Sequence, residues 1–287
     1  MFLYINVRIA NIVQKKTNFA AVKNLNDIIR PIANELAQFE AFFEKTLKAD
    51  TEPMNSIMQY VHDTQGKRLR PILVLLGAKL FGEINEQTLR SATFVEMVHS
   101  ATLIHDDVVD DSNSRRKKAS VKAQFGNLSA VLAGDYLLAQ AMLLLSQSGD
   151  HAILQEMLHT TATMSEGELM QNASARSLSQ SKGRPTDTYL NIITCKTAML
   201  MRSCCVAGAL SVNASSEQVK QITDFGLNFG ILFQLRDDIL DGENIAQAQV
   251  LLPEYFQKSI DSLKTFHASE VLEALLDLTV FCAERKE

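Results

Sequence analysis

No proline occurs between Pro71 and Pro185, and that gap restricts the fold more than any motif does. The other prolines are Pro31, Pro53 and Pro253. Long breaker-free stretches rich in Ala, Leu, Met and Gln favour helix, because these side chains lose little rotamer freedom there. No run alternates apolar and polar residues with β-branched enrichment, so no convincing strand emerges. We expect an all-α fold, one domain over residues 1–287 built as a bundle of about ten helices. Their expected spans are 24–47, 52–64, 69–81, 86–110, 127–147, 151–174, 186–211, 215–241, 253–265 and 268–284. Those at 86–110, 127–147 and 215–241 are apolar nearly all round, which predicts inner helices. The polar "SARSLSQSKGRPTD" at 174–187 is the clearest loop, and no stretch has the composition of an interdomain linker.

A net charge of −5 argues against a nucleic-acid binder, which would carry a basic face. An acidic chain can still bind anions where its cations gather. Cys195, Cys204, Cys205 and Cys282 form no Cys-x-x-Cys pair, which suits reduced thiols in a cytoplasmic protein. The opening "MFLYINVRIANIV" is apolar but short and contains Arg8, so we do not expect a signal peptide. The most apolar long segment, Leu128 to Ser146, is interrupted by Asp135 and is expected as a buried helix, not a membrane span.

Two acid clusters end apolar helices. Asp106, Asp107, Asp110 and Asp111 lie in "HDDVVDDSNSRR", and "DDVVD" at 106–110 returns as "DDILD" at 237–241. Side chains four, seven or eleven apart share a helix face. His99, Asp106 and Asp110 therefore form one stripe, and Gln234, Asp237 and Asp241 a second. Like-charge contacts at 4 Å cost roughly 4 kcal/mol each at an effective dielectric near 20. Such groups persist where they are solvated or where a cation sits among them. Oxygen ligands at this spacing suit Mg²⁺, which takes one or two carboxylates with waters and substrate phosphates. The repeated geometry predicts two helices facing one another across a cavity.

Cations accompany the acids. "GKRLRP" at 66–71 supplies Lys67, Arg68 and Arg70; Arg115 and Arg116 follow the first cluster; Lys196 and Thr197 interrupt the apolar "IITCKTAMLM". Each alone could be a solvated turn or a snorkelling lysine. Together they point to a diphosphate held through Mg²⁺ on an oily substrate.

The combination "GKRLRP", "LIHDDVVDDSNSRR", "GDYLLA" (134–139), "GELMQ" (167–171), "CKTA" (195–198) and "FQLRDDILD" (233–241) resembles the trans-isoprenyl diphosphate synthases, which include the farnesyl and polyprenyl enzymes. The match runs in order from about residue 25 to residue 241. The resemblance implies an all-α bundle around a central cavity, and usually a homodimer. It implies a transferase reaction that joins isopentenyl diphosphate to an allylic prenyl diphosphate. Asp106, Asp110 and Asp237 would hold Mg²⁺, with Asp107 and Asp241 completing the clusters. Lys67, Arg70, His99 and Arg116 would hold isopentenyl diphosphate; Arg115, Lys196, Thr197 and Gln234 would hold the allylic diphosphate. The groups implied in catalysis are Asp106, Asp110, Lys196 and Asp237. In the family, bulky residues four or five positions before the first acid cluster stop elongation. Here Ala101 and Thr102 are small, which implies a medium- or long-chain all-trans product of the kind used for quinone side chains.

Three departures stand out. "RRKKAS" has Lys117 and Ala119 where the family usually has Gly and Pro, and the first twenty residues match nothing. After Asp241 the family continues with a Gly- and Lys-rich loop, whereas "DDILDGENIAQAQVLLPEYFQKSID" has no lysine before Lys258. The shortening raises a second reading, a partner subunit without turnover. A class I terpene cyclase is a third, against which the "GKRLRP", His99 and Arg116 set argues.

Overall fold

The computed structural model describes residues 23–64, 66–178 and 186–286. The N-terminal stretch read as carrying no signal lies outside them. The first expected helix is broken where Pro31 lacks an amide hydrogen. A short α1 (Leu25–Ile28) and a 3₁₀ turn (Arg30–Ile32) precede α2 (Ala33–Leu47). Pro53 instead sits in the first turn of α3 (Glu52–Asp63), where its missing donor costs nothing. Next come α4 (Leu69–Lys79) and α5 (Glu86–Val109), the latter opened by an Asn85–Thr88 capping box.

Residues 110–120 depart from the all-helical expectation. Ser114–Arg115 pairs antiparallel with Lys118–Ala119, and the turn between them puts Arg116 (φ 52°) and Lys117 (φ 66°) in the left-handed region. The hairpin is held to α3 by Tyr60 Oη donating to the Ala119 carbonyl (2.8 Å) and Lys118 Nζ donating to that of Asp63 (2.7 Å). These bonds offset roughly 1–2 kcal/mol per left-handed residue.

The chain continues through α6 (Val121–Phe125), α7 (Asn127–Ser146) and α8 (His151–Leu178). Helix therefore covers the first five residues of the segment expected as loop, 174–178; positions 179–185 lie outside the described residues. The span 186–211 divides into α9 (Thr186–Ile193), a π turn (Thr194–Ala198) and α10 (Met199–Ser211). Then follow α11 (Ser216–Asp241), α12 (Ile245–Leu263) and α13 (Glu270–Glu284). The expected helix start at Pro253 is wrong: α12 begins at Ile245 and runs through the proline. An interior proline costs about 3 kcal/mol in an isolated helix. Here α12 packs along α11, and buried Ala248, Ile260 and Leu263 repay the loss.

The innermost helix was not among the three expected. It is α10, packed against α4, α5, α8 and α11, with Cys204, Cys205, Ala207 and Ala209 fully buried. Small residues permit this crowding: a Cβ on Gly208 would lie 2.3 Å from the Val74 carbonyl oxygen on α4. Helix α7, expected as inner, buries only one side. Leu128, Val131, Leu132, Ala139, Met142 and Leu143 are exposed at helical spacing along the other side, with exposed Asp135 among them. Asn127–Ser146 and Thr186–Ser211 are long and apolar enough to cross a membrane by length and composition alone, but the latter is mostly buried within the fold.

Candidate active site

The C-terminal halves of α5 and α11 face one another across a cavity of about 880 Å³, as the paired acid stripes predict. Lys67 and Arg70 contribute from the start of α4, His99, Thr102 and Asp106 from α5, and Arg116 from the hairpin. Opposite lie Lys196 and Thr197 of the π turn, with Gln234 and Asp237 of α11. Met164 and Leu169 of α8, Leu69, Leu103, Phe233 and the α13 residues Leu278 and Phe281 make the apolar surface.

The basic turn divides by direction. Arg68 adopts φ 55° and turns its guanidinium back to Glu40 (2.9 Å) and Glu96 (2.6 Å), 4.4 Å from the Phe43 ring centre. This anchors the turn, and the neighbours on either side line the cavity. Arg70 Nη1 donates to His99 Nε2 at 3.0 Å, while the buried Arg70 Nε has no hydrogen-bond partner. Burial, then the Arg70 and Arg116 charges, hold the His99 ring well below its ordinary value, so it is a neutral acceptor. The Arg116 guanidinium presses on Gly66, where a Cβ would meet Nη2 at 2.4 Å. The glycine of "GKRLRP" thus makes room for the arginine of the hairpin.

On the facing wall, Lys196 pairs with Glu168 of α8 at 2.6 Å. A Cβ on Gly167 would lie 2.8 Å from the Lys196 amide nitrogen, so the glycine of "GELMQ" lets α8 approach the π turn. Thr197 Oγ1 donates to Gln234 Oε1 at 2.8 Å. Asp237 pairs with Arg285 at 2.5 Å, and that guanidinium lies 4.2 Å from the Phe233 ring centre. Arg236 grips the Arg285 carbonyl oxygen through Nε (2.9 Å) and Nη2 (2.5 Å). Burial pushes Asp237 up, with Arg285 opposing. Burial pushes Asp106 up to about 6; Lys196 opposes, while Glu168 and Asp110 add.

Several expected residues stand elsewhere. Asp107 is buried 100° round the helix from Asp106 and binds Arg115 (2.7 Å), so neither lines the main cavity. Arg115 borders only a smaller neighbouring pocket. Asp110 caps α5 and Asp241 ends α11; both are exposed and outside the cavity lining. Ala101 is fully buried in the core, so of the two small residues only Thr102 borders the cavity. Sequence reasoning missed Glu168, although its motif was singled out, and Arg285, which has no local signal because α13 brings it in from the far end of the chain.

Among the described residues no three His, Cys, Asp or Glu side chains converge closely enough to cage a metal. The donor set still fits a hard divalent cation. Asp106 and Asp237 offer carboxylate oxygens from opposite walls, each with a second carboxylate one turn on. Mg²⁺ needs only one or two protein carboxylates when phosphate and water complete the shell.

The profile of the polyprenyl synthetase family matches residues 51–249. The octaprenyl diphosphate synthase of Escherichia coli (strain K12) is 32% identical over 220 residues, 76% of this chain and 66% of that protein. Component 2 of the heptaprenyl diphosphate synthase of Geobacillus stearothermophilus is 32% identical over 246 residues, 81% of this chain and 75% of that protein. The chain thus spans about two thirds to three quarters of the length of these relatives. The crystal structure of a polyprenyl synthase from Caulobacter crescentus CB15, complexed with calcium and isoprenyl diphosphate, has a TM-score of 0.85 at 25% identity. That match covers 94% of this chain and all of the other. With its fold, its ordered motifs and these relatives in agreement, the chain belongs to the polyprenyl synthetase family.

Proposed function

We propose that this chain condenses isopentenyl diphosphate head to tail with an allylic prenyl diphosphate, giving an all-trans polyprenyl diphosphate of the quinone side-chain type. The observation that carries it is one cavity with carboxylates and cations around an apolar interior. Lys67, Arg70, His99 and Arg116 are neighbours and form the isopentenyl diphosphate pocket in this reading. Neutral His99 is compatible with a site whose charge comes from the arginines. Asp106 and Asp237, with Asp110 and Asp241, would hold Mg²⁺, which when bound supplies positive charge to the departing diphosphate. Lys196, Thr197 and Gln234 orient the allylic diphosphate and stabilise charge as its C–O bond breaks. The double bond of the neighbouring substrate, held in line by the two sets of side chains, attacks the carbocation, and the new cation loses a proton to the released diphosphate. Apolar walls exclude the water that would quench it. The growing chain passes Thr102, whose small side chain leaves the cavity open.

Incubating the protein with Mg²⁺, labelled isopentenyl diphosphate and farnesyl diphosphate, then sizing the products, tests this. A ladder ending in one long chain, absent from an Asp106→Ala, Asp237→Ala double variant, supports the synthase. A second reading, a partner subunit without turnover, is favoured by one feature: only Gly242, Glu243 and Asn244 join α11 to α12, with no lysine between them. Folded protein that makes no product alone but does so with a homologous subunit would establish it. The apolar stripe of α7 supports a homodimer, and four free cysteines fit a reducing, cytoplasmic setting.

A further inference from the structure

Asp238 follows Asp237 in "DDILD", yet it is turned 100° away from it around α11 and is almost fully buried. Its carboxylate accepts a hydrogen bond from Tyr189 Oη at 2.5 Å and another from Gln234 Nε2 at 2.6 Å. The Asn244 side chain bonds to it as well. Tyr189 is itself fully buried on α9.

Donor and acceptor counting makes this contact directional. Both carboxylate oxygens accept from converging donors, Tyr189 Oη on Oδ2 and Gln234 Nε2 on Oδ1, so the nitrogen end of the Gln234 amide faces Asp238. The amide oxygen must then face Thr197, whose only hydroxyl proton it receives at 2.8 Å. The opposite amide orientation would set two acceptors against each other at Asp238, which is costly in a buried site. Gln234 and Thr197 both border the cavity, next to Lys196. The chain Tyr189–Asp238–Gln234–Thr197 thus runs from the core to the cavity wall, crossing from α9 to α11 and back to the π turn.

We propose that Asp238, backed by Tyr189, is a positioning residue: it sets the polarity of the Gln234 amide, so that the second amide hydrogen is left for a diphosphate while Thr197 holds the amide oxygen. The assignment rests on the diphosphate reading of the cavity. An unfixed Gln234 can turn its carbonyl oxygen toward the anion and repel it.

The test is calorimetric binding of inorganic diphosphate with Mg²⁺ to the full chain, with circular dichroism to establish folding. Asp238→Asn keeps the shape but can offer Gln234 either a donor or an acceptor; binding is expected to weaken about tenfold, the scale of one lost charged hydrogen bond. Tyr189→Phe should weaken it about threefold, since the carboxylate keeps Gln234 but loses its own support. In a Gln234→Leu background neither change should have a further effect, because the relay is already cut. If Asp238→Asn fails to fold, the Tyr189→Phe and Gln234→Leu cycle decides the matter. Unchanged binding in the single variants, or losses that multiply in the doubles, overturns the relay while leaving the diphosphate reading intact when Lys196→Ala binds poorly. Wild-type binding no tighter than that of Lys196→Ala overturns both.

Discussion

Asp106 carries the clearest conflict between function and stability at the residue scale. Its pKa of about 6, against an ordinary 3.8, means that the folded protein holds this proton more tightly than the unfolded chain does. The resulting stabilisation is complete below about pH 3.8 and is lost as pH rises through about 6. Asp106→Asn should therefore melt above the wild type in metal-free buffer, with a gap that widens from pH 5 to 7.5, yet should not turn over substrate. A gap that narrows over that range would contradict the assignment. Thr102 and Ala101 separate on the same scale. Thr102→Phe projects into the cavity and should shorten the polyprenyl product without a large fall in melting temperature. Ala101→Phe has no cavity to enter and should cost roughly 1–3 kcal/mol or more by overpacking, read in a urea titration. Adjacent identical residues differ in the same way. Asp106 and Asp107, like Asp237 and Asp238, look equivalent in the sequence, but a 100° step sends one to the cavity and the other to a buried partner.

At the scale of elements, the π turn brings α11 and the "CKTA" motif together. Gly230 on α11 meets it closely, since a Cβ there would lie 2.6 Å from the Ala198 Cα. Alanine normally gains about 1 kcal/mol over glycine within a helix. The obstructing atoms here are mainly backbone and cannot rotate aside, so overpacking should win. Gly230→Ala is expected to destabilise the fold by about 1–2 kcal/mol and to weaken diphosphate binding, because Gln234 lies one turn on and Thr197 adjoins Ala198. Denaturant and binding titrations on the same variant check both effects. Neither the π turn nor the start of α12 was legible beforehand. Residues 186–211 have an unbroken helical composition, and Pro253 is an ordinary local signal for a helix start, overridden by packing against α11.

At the scale of the whole molecule, the exposed stripe of α7 is the main apolar surface to explain. Leu128 is 75% exposed and Leu132 52%, in a helix whose other side is core. Exposed apolar surface on this scale marks association, and the one acid within the stripe, Asp135, lies 3.4 Å from His105 of the same chain. Leu132→Glu combined with Leu143→Glu should leave the fold intact and halve the mass found by sedimentation, if the wild type is a dimer; a wild type already monomeric would rule the interface out. The C-terminal helix has a separate effect on the cavity. By bringing Arg285 to Asp237, α13 supplies an internal cation beside a carboxylate read as a metal ligand.

The sequence alone determined the helical class, the pairing of two acid-bearing helices across a cavity and the identity of most cavity cations. The first two depend on local periodicity and composition, and the cations on motifs that resemble a known family; all are one-dimensional properties. Tertiary structure decided which acids and bases remain available. It buried Asp107 against Arg115, exposed Asp110 and Asp241, removed Ala101 from the wall, and brought in Glu168 and Arg285. Those outcomes follow from contacts between helices distant in the chain, and spacing along one helix says nothing about what faces it.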